Sequence, residues 1–190
     1  MTTQHLSRFT LSRAARAVAL CIGALVVAAS AQAAGDKAAY SQTKDAAKAT
    51  YETSKKACDP MSGNAKDICV AEAKAARTKT EVDAEAIYKG TPKARAHAIE
   101  ETAEANYQVA KERCDDKKGN DKDVCVKEAK ATMIKAKADA KATMKGTEAR
   151  MDASKDKREA DYKVAAEKCD AMSGEAKSSC VVAAKARYKM

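Results

Sequence analysis

Apolar residues fall along this 190-residue chain in two different ways. Ala17 to Ala29 is one unbroken apolar run, AVALCIGALVVAA. Beyond Gly35 the large apolar side chains are scattered Val, Ile, Met and Tyr, set in tracts of Ala, Lys, Glu and Asp with few breakers. Such tracts predict helix. Two kinds of break divide them. Gly35-Asp36, Gly90-Thr91-Pro92 and Gly146-Thr147 each offer a glycine to end one helix and a residue to cap the next, with Pro92 at a first helical position. The other break lies inside CDPMSGNAKDICV (58–70), CDDKKGNDKDVCV (114–126) and CDAMSGEAKSSCV (169–181). There Pro60 disfavours helix at Asp59, and Gly63 permits a left-handed residue. Asn64 with Asp67, and Asn120 with Asp123, are expected to cap the helices that follow, with Glu175 and Ser178 a weaker version.

The spacing defines a repeat used three times. Tyr51, Tyr107 and Tyr162 each precede the first cysteine of a pair by seven residues. Asp59, Asp115 and Asp170 follow that cysteine, and Lys66, Lys122 and Lys177 lie eight beyond it. The predicted fold is all-α: three helix-turn-helix hairpins over 34–89, 90–145 and 146–190, the last truncated. Each is expected to be clamped by a C-x10-C disulfide, pairing Cys58 with Cys69, Cys114 with Cys125 and Cys169 with Cys180. Across each hairpin Tyr51 should meet Ala73 and Ala76, and Tyr107 should meet Ala129 and Thr132. Tyr162 should meet Ala184 and Arg187, with a cation–π contact as one outcome.

Composition explains why clamps are needed. Residues 1–33 read as a signal peptide: Arg8, Arg13 and Arg16, then the apolar run, then an Ala31-Gln32-Ala33 cleavage site. Leu20 before Cys21 and the later cleavage site argue against a lipoprotein. The run is too short to span a membrane comfortably, and no transmembrane segment is expected after cleavage. Cleavage leaves 33 basic residues against 27 acidic, a net charge of +6, and six cysteines. It also removes every Leu and the single Phe, so the remaining chain cannot build a broad core. Paired cysteines in an exported chain belong to an oxidising compartment, the periplasm or the extracellular space.

Candidate chemistry is sparse. The ten-residue gap is not the C-x-x-C of redox enzymes, and His97 alone cannot complete a zinc site with the cysteines. Soft-metal binding by Cys58, Met61 and Cys69 is conceivable, with Met172 repeating it in the third unit and Lys117 breaking it in the second. His97, with Glu100 and Glu101 nearby, reads as a solvated helix residue. No catalytic residues, metal site or cofactor are expected. Lys127, Lys130, Lys137, Lys141 and Lys145 share a narrow face, whereas Cys125, Ala129, Ala136 and Ala140 face the partner helix. That lysine face reads as a solubilising surface or a weak anion-binding one. With 27 Lys to 6 Arg and interleaved acids, no nucleic-acid partner is expected.

Stretches such as EAKATMIKAKADAKATMKG and AEAKAARTKTEVDAEA resemble the Ala/Lys/Glu-rich helical central region of TolA, the periplasm-spanning envelope protein. The phrase YKVAAEKCDAMSGEAKSSCVVAAKARY is similar to small exported bacterial proteins that carry a TolA-like, cell-envelope-biogenesis label. The resemblance implies an envelope protein and no particular activity. The expectation is therefore a non-enzymatic structural or interaction protein of the bacterial envelope, its partner an envelope protein or an anionic envelope surface. The alternative is a periplasmic binder of soft metal ions or anionic envelope components.

Overall fold

The structure, a computed structural model, describes residues 35–190. The expected signal peptide, with Cys21 and the Ala31-Gln32-Ala33 site, lies outside the described residues. Five helices follow in order: α1 (Lys37–Ala57), α2 (Gly63–Lys89), α3 (Pro92–Cys114), α4 (Gly119–Asp170) and α5 (Gly174–Tyr188). No strand occurs among the described residues. Asp36 caps α1 by accepting hydrogen bonds from the Ala38 and Ala39 amides at 2.9 and 3.1 Å. Thr91 caps α3 by accepting from the Ala94 amide at 3.1 Å, with Pro92 at the first helical position. Gly90, at φ 63°, closes α2, so α2 and α3 are joined by two residues.

The helices pack in series. α1 packs on α2, α2 on α3, α3 on α4 and α4 on α5, and no other helix pair packs among the described residues. The buried apolar residues are ten alanines, Val109 and the first cysteine of each pair. An alanine methyl contributes only about 0.8 kcal/mol when buried, so these interfaces are close but weak. Ala86, Ala94 and Ala98 form a buried cluster where α2 meets α3, with the partly buried Val82 packed against it. Tyr40 stacks on Tyr88 with centroids 4.9 Å apart, closing the open end of the first hairpin.

The expected turn at Gly146-Thr147 is absent. α4 runs through it as one helix of 52 residues, about 78 Å long at 1.5 Å per residue. The reason is local. Gly146 keeps an ordinary helical backbone, without the positive φ of Gly90. Thr147 is not a cap: its hydroxyl donates to the Thr143 carbonyl at 2.8 Å. Arg150 Nε donates to the Gly146 carbonyl at 3.0 Å. Glu148 follows where Pro92 follows Gly90-Thr91, so nothing obliges the helix to stop. α3 and α5 therefore clasp opposite ends of one helix, and residues 148–158 between them are exposed throughout.

Candidate functional site

The repeated feature is the cysteine knuckle. Disulfides join Cys58–Cys69, Cys114–Cys125 and Cys169–Cys180, with Cα separations of 5.8, 5.7 and 5.6 Å. In each knuckle the first cysteine is sealed, at 0–1% exposure. The residue three beyond it donates its amide to that cysteine's carbonyl: Met61 to Cys58, Lys117 to Cys114, Met172 to Cys169, all at 3.0 Å. Gly63, Gly119 and Gly174 then open the next helix at φ 57°, 54° and 59°. The expected caps are not used. Ser62, Lys118 and Ser173 occupy the N-cap positions without a side-chain bond, and Asn64 falls inside α2.

The sequence contained a second clamp whose role the spacing alone did not reveal. Asp59 pairs with Lys66 at 3.4 Å, Asp115 with Lys122 at 3.0 Å and Asp170 with Lys177 at 3.0 Å. These are the repeated Asp and Lys of every unit, and they bridge each knuckle beside its disulfide. The first two knuckles are also tied to one another. Asn64 Nδ2 donates to Asp116 Oδ1 at 2.7 Å, and Arg113 pairs with Glu72 at 2.5 Å.

The tyrosines sit as expected in the first two hairpins. Tyr51 lines a groove with Ala73 and Ala76, and Arg77 lies over its ring at 5.5 Å. Tyr107 lines a groove with Ala129 and Thr132. In the third, Arg187 lies over Tyr188 at 5.8 Å, not over Tyr162. Tyr188 is its neighbour in the chain. The Tyr107 groove, about 490 Å³, is bounded also by Ile99 and Met133 and opens between α2, α3 and α4.

The five-lysine face is divided. Lys137 reaches α3 and pairs with Glu104 at 2.5 Å. The hydrogen bond from Lys137 holds the Glu104 carboxyl below its ordinary range, and Glu104 raises the Lys137 ammonium in return. Lys127, Lys130, Lys141 and Lys145 are exposed and form no ion pair among the described residues. Ala129, Ala136 and Ala140 face α3, as the periodicity predicts. His97 is exposed, with Nδ1 4.0 Å from Glu101 Oε1. Among the described residues no cluster of three or more His, Cys, Asp or Glu side chains could hold a metal ion. No helix there is long and apolar enough to cross a membrane. No protein-family model, no curated protein and no solved structure matches this chain.

Proposed function

We propose that this is a non-enzymatic structural or interaction protein of the bacterial cell envelope, exported and working in the periplasm. The observation that supports it best is the serial packing. Among the described residues each helix packs only on its chain neighbours, which leaves long helical flanks open to a partner. The disulfides support an oxidising destination. A partner helix or loop would be held by small-residue grooves such as the one containing Tyr107, where Ile99 stands 47% exposed. A photo-crosslinking amino acid at position 99, used in intact cells, should give discrete adducts with one or a few envelope proteins. Absence of any adduct at 99 and at 133, which line the same groove, would count against the reading.

A second reading is favoured by Lys127, Lys130, Lys141 and Lys145: attraction to an anionic envelope surface. It predicts binding to anionic vesicles that weakens as salt rises and is absent on neutral vesicles. The soft-metal version is less economical, because the sulfurs of Cys58 and Cys69 are bonded to each other and Met61 alone remains.

A further inference from the structure

Among the described residues, no helix packs on the face of α4 turned away from α3 and α5, and its two halves carry opposite charge. Successive residues advance about 100° around a helix. On that basis Lys127, Ala131, Ile134, Ala138, Lys141 and Lys145 of the first half share a face with Ala149, Asp152, Asp156, Glu159, Ala160 and Glu167 of the second. Lys163 is the one basic residue within the acidic part of that face. Apart from Glu159, which is half-buried, all of these residues are exposed.

The repeat says what this face is for. The first half of α4 is the counterpart of α2, 56 positions on; the second half is the counterpart of α3, 55 positions on. Carried across, the α2–α3 core of Val82, Ala86, Ala94 and Ala98 becomes Ala138, Ala142, Ala149 and Ala153. The Glu72–Arg113 ion pair becomes Glu128 and Lys168, with both charges kept. In the α2–α3 groove Lys74 lies with Glu101, Glu104 and Glu112; their counterparts are Lys130, Asp156, Glu159 and Glu167, again with every sign kept. The Asn64–Asp116 bond is not carried over, since Ala171 stands at the second position. α4 thus holds both sides of an α2–α3 interface, and because it is continuous the two sides cannot meet within one chain.

We propose that they meet between two chains: α4 pairs antiparallel with α4 of a second copy, the two-fold axis passing beside Gly146. The third hairpin of each copy then packs against the second hairpin of the other, in the place a turn at Gly146 would have given it. This is a reciprocal exchange of a hairpin, a low-cost route to a dimer. Antiparallel pairing lays the lysine half of each helix on the acidic half of the other, whereas parallel pairing would lay like on like. The proposal does not depend on the cellular role proposed above.

Sedimentation equilibrium of the oxidised protein tests it. The expected result is a dimer that dissociates as salt rises. K130E/K141E should weaken it at least about tenfold, and so should D152K/E159K, because each sets like charges face to face. Mixing the two variants should restore a heterodimer, since both halves of the interface are then complementary. Glu148→Pro recreates the Gly-Thr-Pro order found at Gly90 and should give a compact monomer with its third hairpin folded back. A monomer at every concentration, or a dimer indifferent to K130E/K141E, overturns the proposal. So does vesicle binding by those lysines with no self-association.

Discussion

Gly63, Gly119 and Gly174 hold one left-handed conformation at one place in three knuckles. A Cβ at Gly63 would touch nothing within 4 Å, so the cost of Gly63→Ala lies in the backbone alone. We expect a loss of about 1–2 kcal/mol in urea unfolding, and a neutral result would mean the knuckle does not need that conformation. The disulfides act at the same scale. Closing a loop of this size contributes about 3 kcal/mol in the chain-entropy model. Replacing Cys169 and Cys180 with Ala should be felt mainly in α5, whose one helix partner among the described residues is α4. Hydrogen exchange should show α5 amides losing protection while α1 to α3 keep theirs. The Glu104–Lys137 bond ties α3 to α4. The lowered Glu104 makes its contribution above the ordinary carboxylate range and loses it as acid protonates the group at its lowered value. The raised Lys137 contributes below the ordinary lysine value and loses that as pH climbs through its raised one. Melting curves of Glu104→Gln and the parent should therefore differ at neutral pH and converge in acid; a constant gap would show that Glu104 acts otherwise.

At the scale of elements, Gly90 and Gly146 look alike in sequence and do opposite things. Gly90 is left-handed and ends α2; Gly146 lies in mid-helix. Alanine at 90 should therefore destabilise, and alanine at 146 should stabilise by about 0.5–1 kcal/mol, because glycine inside a helix costs that much. Arg150 Nη2, 3.5 Å from the new Cβ, is the end of a flexible side chain and leaves room. Thermal melts of the two variants moving in the same direction would contradict this. The helices, the three clamps, the Asp36 and Thr91 caps and the tyrosine contacts of two hairpins were legible in the sequence, because each rests on chemistry within a few residues or on an exact repeat. The turn at 146 was misread because Gly-Thr is a weak stop. What enforces the break at Gly90 is Pro92, and no proline stands at 148. The knuckle caps were misread because asparagine is a good cap anywhere, yet the left-handed glycine shifts the helix start ahead of Asn64.

For the whole molecule, the difference between a bundle and a string turns on that one junction. A break at Gly146 would fold the third hairpin against the second; a continuous α4 carries it away and leaves the intervening turns bare. Both sides of the proposed interface are present in the sequence, but the charge pattern on α4 reads as a solubilising face unless the helix is known to be unbroken. The stacking of Tyr40 on Tyr88 is not legible in the sequence for a related reason: both lie far along the chain from the clamp, and their meeting depends on two helices staying in register to the end.

The continuity of α4 is the claim on which the rest depends, and one distance tests it. Nitroxide amino acids at positions 130 and 157, diluted with an excess of unlabelled protein to suppress signals between copies, would be separated by about 40 Å along an unbroken helix. A single narrow distribution near that value is the predicted result. A distribution below about 20 Å, as two helices packed side by side would give, would mean that the chain turns at Gly146 and that the third hairpin lies against the second within one molecule.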